Sequence, residues 1–520
     1  MTEKPMNVLF IMTDQHRAAD VGFMGNKVIR TPNLDGLAAD AMVFENAWVS
    51  NPVCMPNRST VMTGRMPSAH GVVFNDRSLD PGVNTFVRGF KKAGYRTGLI
   101  GKSHLQHGVS KNSMMPFRGA PSAHVPFEPG WDEIEDFERY LDAMPTDPED
   151  FYGFDHIRLS IDHGARIAGH HLRWALERGG DRSALDIDQD HDTQGTDRSE
   201  HWRQIYRPPY DAELHSTRFV TDQGLAFIDE AHAAGQPWLA YCSFPDPHHP
   251  MTPPGEWFDA YCPRDMPLPE SRFDGLKDAP QHLRLFQSIH PKDQRNWVSP
   301  CGFGSDALLG EAIAATYGMI SMVDTGVGEL LGRLDSLGIR DNTLVVFTSD
   351  HGDMMGEHGL FLKGFMHYRG TLQVPLLISV PDQPGGRSQS LASSIDLGPT
   401  LMDACKIPAY DGIQGRSLMP IVQDAEASVR DYVLIEDDIV LMTAKLTPIP
   451  ARTRSLIYGD YRFTRNSKGE EQLFNLRQDP DEMEDLKHTD SARLGVLEVL
   501  SDAMMEADDS SRGAPATESI

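Results

Sequence analysis

The chain has 520 residues, 40% of them hydrophobic and 24% charged, the composition of an ordinary globular protein. Lys and Arg number 48 against 75 Asp and Glu, a net charge of −27. That excludes nucleic acid or an anionic membrane as the main partner, because phosphate binding needs clustered cations, while an anionic small substrate stays open because the local field decides.

The N-terminus, MTEKPMNVLFIMTDQ, has an apolar run of only about six residues, too short for a signal-peptide core. Residues 7–13 (NVLFIMT) predict a buried parallel strand ending at Asp14. Helical spacing follows in 31–41, then a short strand at 97–100. From 105 to 210 the pattern becomes polar and charge-rich and predicts a long insertion over one face. Strands return at 238–244 and 343–350, flanking a helix over 311–338, and again at 375–380 before a helix over 393–405. Alternating strands and helices predict an α/β fold with a large, mostly parallel central sheet flanked by helices. After about 430, SLIYGDYRFTRN and EQLFNLRQDPDE predict a hairpin and an edge element, and a helix follows near 491–505. The expected division is therefore a domain of residues 1–430 and a smaller C-terminal α+β part, 431–520, ending in a tail. Five cysteines, at 54, 242, 262, 301 and 405, show no paired spacing, which fits a reducing compartment and predicts a cytoplasmic location. No run reaches the ~18 apolar residues that span a bilayer. The insertion and the tail are the expected interface material of a homo-oligomer.

Ligands of wound α/β folds gather beyond the carboxyl ends of the strands. Asp14, the His248–His249 pair and Asp350–His351 fall there. In NPVCMPNRSTVMTGR, Pro56 suits a first helical turn and Gly64 a C-cap, so 56–63 predicts a short helix with Cys54 just ahead of it. That end is a ready anion site, and Arg58 lies one turn from Cys54. A packed thiol beside a surface arginine fits the same stretch. A cysteine phosphatase does not, because its loop needs a longer Cys-to-Arg spacing than the three intervening residues here. Asp350 and His351, with Asp14, suit Ca, Mn or Mg and leave Zn open. Lys102 and His104 face one way in an extended GKSH segment, one able to bind an anion and the other to transfer protons. Prolines stiffen the backbone around His248. Lys363 alone fits a solvated surface.

Taken together, TDQ, CMPNRSTVMTGR, GKSH, FPDPHHP and SDHGDMMGEHGLFLKG, in that order, resemble the formylglycine-dependent sulfatase family of the alkaline-phosphatase-like superfamily, in its arylsulfatase and phosphonate monoester hydrolase branch. The likeness covers roughly the whole chain, and its most specific part is Cys-x-Pro-x-Arg at 54–58, continued by Thr63-Gly64-Arg65. The resemblance implies that a maturation enzyme oxidises Cys54 to formylglycine, whose hydrate is the nucleophile. It further implies that Asp14, Asp350 and His351 hold one divalent ion, Ca2+ or Mn2+, together with residue 54. Arg58 and Lys102 would steady the hydrate, and His248 or Lys363 would serve the leaving oxygen. His104 would deprotonate the second hydroxyl, so that the adduct collapses to aldehyde and sulfate; a serine could not take that last step. Lys102, His248, Lys363 and Asn75 would touch substrate, a small organic sulfate ester.

Two positions depart from many sulfatases. Thr13-Asp14-Gln15 lacks a second carboxylate, and Asp350-His351 replaces Asp-Asn. Both look like the phosphonate monoester hydrolase branch, which nevertheless carries Tyr and Thr where Lys102 and His104 stand. The Lys-x-His pair touches the transferring group and favours a sulfatase, with phosphonate monoester or phosphodiester hydrolysis as the alternative.

Overall fold

The computed structural model describes residues 4–107, 130–142, 144–185, 199–293, 300–439, 444–445, 447–488, 496 and 499–500. In chain order the strands are β1 (Asn7–Thr13), β2 (Met42–Trp48), β3 (Arg96–Gly101), β4 (His156–Ile161), β5 (Ala168–Gly169) and β6 (Trp238–Ser243). They continue with β7 (Cys301–Gly302), β8 (Thr343–Ser349), β9 (Leu360–Phe361), β10 (Leu376–Ser379) and β11 (Gly386–Ser393). Among the described residues nine strands form one sheet in the order β11-β2-β10-β8-β1-β6-β3-β4-β5, and β7 and β9 form a separate ribbon.

Strand β1 is buried on both faces. Val8, Phe10 and Met12 enter one core, and Leu9 and Ile11 enter the other. This is why its sequence is an unbroken apolar run rather than an alternation. Strands β1, β3, β4, β6 and β8 pair in parallel. Strand β10 runs against both β8 and β2, so β2 again points with the majority. The carboxyl ends of β1, β2, β3, β4, β6 and β8 therefore open on one edge.

The five strands expected from apolar runs are present, with bounds moved by a residue or so. Strand β2 escapes that test because Glu45 and Asn46 interrupt it on a half-buried surface. Of the polar 105–210 stretch, residues 156–161 are a strand of the main sheet and His170–Glu177 a helix packed against it. That part of the stretch is thus built into the sheet, while 108–129, 143 and 186–198 of the expected insertion lie outside the described residues. HIRLSI alternates because its His156 and Arg158 are only half-buried, so it carries no apolar run. Strands β12 (Tyr432–Asp438), β13 (Arg452–Tyr458), β14 (Tyr461–Asn466) and β15 (Glu471–Asn475) make a second, antiparallel sheet. Tyr458 pairs Tyr461 across Gly459-Asp460, the hairpin expected from the sequence. Of the helix expected near 491–505, residues 496, 499 and 500 are described, and they pack with Leu434, Leu456, Phe463 and Leu473 of this sheet. The final tail lies outside the described residues. No helix among them is long and apolar enough to cross a membrane.

Candidate active site

Register builds the site first. Thr13 pairs Ser349 between β1 and β8, so the next residues, Asp14 and Asp350, leave the sheet side by side. Gln15 N–H donates to Asp350 Oδ1 at 3.1 Å and Asp350 N–H to Thr13 O at 3.1 Å, which closes the two strand ends together. His351 follows, and its Nδ1 meets Gly352 O at 2.9 Å. That contact puts the proton on Nδ1 and leaves the Nε2 lone pair facing inward. Nε2 lies 3.5 Å from Asp14 Oδ1, 3.6 Å from Asp350 Oδ1 and 3.2 Å from Cys54 Sγ.

Cys54 arrives from the end of β2. The helix spans Cys54–Thr63, two residues longer than expected, and ends on Gly64 with φ 61° in the left-handed region. Cys54 therefore stands in the first helical turn, not ahead of it. All ten residues of the helix are buried, including Asn57, Arg58, Ser59, Thr60 and Thr63, a polar content that a packing helix would not bury without partners. Asn57 donates to Asp350 O at 2.5 Å. Arg58 Nε meets Asp350 Oδ2 at 2.7 Å, and its Nη1 donates to Ser243 Oγ at 2.8 Å and Lys102 O at 3.2 Å. Arg58 Nη2 lies 3.5 Å from Asp14. The helix start is held by Asn75, whose Oδ1 accepts from Met55 N–H at 3.1 Å.

Lys363 Nζ donates to Cys54 Sγ at 2.9 Å and is 3.9 Å from Asp14. Lys102 leaves β3 through Gly101, which has φ 102° and whose added Cβ would collide with Ser243 O, so only glycine allows β3 and β6 this close. The Lys102 ammonium binds Asp14 Oδ2. Burial and the Asp14 carboxylate raise the Cys54 thiol, but Lys102, Lys363 and His351 outweigh them and hold it well below the usual thiol range. Burial also opposes ionised Asp14, yet Lys102, His248 and Lys363 hold it well below the usual carboxylate range. Three cations, Arg58, Lys102 and Lys363, face the Asp14 and Asp350 carboxylates and the Cys54 thiolate, so cations and anions balance inside a strongly acidic protein.

His104 has φ 57°, and Glu135 receives the backbone N–H groups of His104, Leu105 and Gln106 at 2.6, 2.9 and 2.9 Å. This turned segment presents its amides to one buried carboxylate. Burial, then Lys102, lower the His104 imidazole to about 3. His248 is buried and stacks on His249 at 4.1 Å, and His249 Nδ1 meets Gln15 Oε1 at 3.0 Å. Gln15 donates its amide to Asp353, so its side chain is turned away from the Asp14–Asp350 pair.

All ten expected site residues thus lie along the same sheet edge, Asn75 as support for the helix start. Sequence reasoning missed Ser243, Glu135 and His163. His163 had a signal: Asp162-His163-Gly164 follows a strand just as Asp350-His351-Gly352 does. Asp14, Cys54, Asp350 and His351 offer ligand atoms within 4.8 Å of one another. Two carboxylates, an inward Nε2 and the atom at position 54 fit one hard divalent cation, with few soft donors.

The model of the Sulfatase family matches residues 6–407, and that of the N-sulphoglucosamine sulphohydrolase C-terminal region matches residues 356–509. An arylsulfatase of Clostridium perfringens is 29% identical over 500 residues, covering 92% of this chain and 90% of that one. A choline-sulfatase of Rhizobium meliloti is 27% identical over 500 residues, covering 94% and 83%. The crystal structure of a phosphonate monoester hydrolase of Agrobacterium radiobacter superposes with a TM-score of 0.77 over 96% of each chain at 24% identity, a likeness of fold.

Proposed function

Because the chain belongs to the sulfatase family, we propose that it hydrolyses aryl or small alkyl sulfate monoesters with a formylglycine made from Cys54 and one divalent cation, Ca2+ or Mn2+. The observation that carries this is position 54, whose Sγ stands where the formylglycine oxygens would be, within reach of Lys363, His351 and Asp14. Cys54 is only 1% exposed inside a buried helix, so the maturation enzyme must act before the chain folds. Residues 1–430 would be the catalytic domain and 431–520 the smaller C-terminal one, with the second sheet beginning at Tyr432. A cytoplasmic location and a homo-oligomeric state belong to the same proposal.

Asp14, Asp350 and His351 would hold the cation, which when bound screens the anionic ester and lowers the pKa of the attacking hydroxyl. The hydrated aldehyde supplies that hydroxyl. Arg58 ties Asp350, Ser243 and the Lys102 carbonyl into one rigid frame, so little reorganisation accompanies charge development. Lys102 and Lys363 place ammonium groups beside the reacting position. His248, flanked by stacked rings, would steady the leaving oxygen. His104 is neutral and accepts the proton of the second hydroxyl.

Burial and then Lys102 hold the His104 imidazole down against the raising effect of the Cys54 thiolate, which conversion to formylglycine removes. The pH profile of kcat/KM is therefore expected to show no limb with a midpoint near the ordinary imidazole value of about 6.5. A limb there that vanishes in His104→Ala would overturn the lowered value and leave His104 as the titrating base.

The second activity, on phosphonate monoesters or phosphodiesters, is favoured by Gln15, which engages Asp353 and His249 and supplies no second carboxylate to the cation site. Kinetics on an aryl sulfate and an aryl phosphonate monoester decide the order. We expect kcat/KM to favour the sulfate by about 10-fold or more, about 1.4 kcal/mol of barrier. A reversed ratio would make the phosphonate the preferred ester.

A further inference from the structure

His163 enters the site from the short β4–β5 connection, at the far edge of the sheet. Asp162 has φ 74° and accepts the His163 backbone N–H at 2.9 Å. Gly164 has φ 64°, and an added Cβ would sit 2.9 Å from Pro250 Cδ, so the turn is pressed against the 245–250 segment. Its ring stacks on His248 with centroids 3.7 Å apart and planes 21° apart. It also lies edge-on to His104 at 6.1 Å. Nδ1 lies 3.6 Å from the Asp162 carboxylate, and because the Lys102 ammonium that meets Nε2 has donors only, the ring proton belongs on Nδ1. Nε2 then has its lone pair toward Lys102 Nζ, which it contacts, and is 3.5 Å from Asp14 Oδ2.

We propose that His163 is a positioning residue for sulfate-ester cleavage, accepting a hydrogen bond from Lys102 and so aiming that ammonium at the transferring group. The proposal rests on the sulfatase reading above. Without His163, Asp14 is the one anchor left among the contacts of the Lys102 ammonium named above, and a flexible four-carbon chain then samples other directions. His163 touches no reacting atom. Its effect passes through Lys102, which separates it from a ring that merely fills space beside His248.

The test is a set of His163 variants in the full-length, metal-loaded enzyme, read as kcat/KM on an aryl sulfate and on an aryl phosphonate monoester. His163→Ala is expected to lose about 10–100-fold, the usual cost of removing a partner that orients a functional group. His163→Gln, which keeps an acceptor, should recover most of the loss, whereas His163→Phe, which keeps the stack alone, should resemble alanine. In a Lys102→Ala background, His163→Ala should cost less than about 3-fold, because two residues acting as a unit are not additive. Recovery by phenylalanine, or an equal loss in both backgrounds, would overturn the proposal. Turnover of the phosphonate alone would reject the sulfatase reading and still report the His163–Lys102 coupling.

Discussion

Replacing Cys54 by alanine is expected to lower kcat by at least about 10⁴-fold, the order of loss when a covalent nucleophile is removed. The change takes away the only atom in the site that can become the formylglycine aldehyde, and nothing nearby can substitute for it. Lys363 Nζ loses its partner at 2.9 Å, but Asp14 remains 3.9 Å away, so the buried ammonium keeps a counter-charge. Folding should therefore weaken by no more than about 1–3 kcal/mol, the cost of one unsatisfied buried donor. A mass spectrum of the active wild-type enzyme should show the peptide around residue 54 lighter than its cysteine form, with aldehyde oxygen in place of the thiol. Full activity in Cys54→Ala, or intact cysteine in fully active enzyme, would reject this chemistry.

Replacing Asp350 by alanine should damage both function and fold. Asp350 and Arg58 are each at most 1% exposed and meet at 2.7 Å. Removing one partner leaves a buried guanidinium without its closest carboxylate, which costs about 3–5 kcal/mol. Asp14, 3.5 Å from Arg58 Nη2, offsets only part of this, because Lys102 already occupies its Oδ2. Asp350→Asn keeps the shape and an acceptor for the Gln15 N–H, so urea unfolding should show a smaller loss. Both variants are expected to lose bound metal by elemental analysis and to fall below about 1% of wild-type kcat/KM, the loss of more than about 2.7 kcal/mol of transition-state stabilisation. Wild-type metal content with wild-type activity in Asp350→Asn would remove Asp350 from the ligand set.

Much of this site was legible before folding. Asp14 and Asp350 close apolar runs long enough to be read as central parallel strands, and such strands place their carboxyl ends at the ligand edge. Cys54, Pro56 and Gly64 carry their helix boundaries in their own chemistry, although the helix begins two residues earlier than Pro56 suggests. His163 was hidden because β4 alternates and sits in polar surroundings, where short-range periodicity is weak. Glu135 lies in the same polar stretch, and its role depends on meeting three amides of a segment some thirty residues earlier.

By itself the sequence determined the residue types, the strand ends and the Cys-x-Pro-x-Arg signature, because local apolar runs and cap residues act within a few positions. The tertiary structure alone decided which ends meet. The order β8-β1-β6-β3-β4 brings Asp350, Asp14, His248, Lys102 and His163 to one edge, although as many as 336 positions separate them in the chain. It turned Asn75 into the support of a helix start and gave His163 its contact with Lys102. Strand order follows from long-range burial on both faces of the sheet, and no local pattern encodes it.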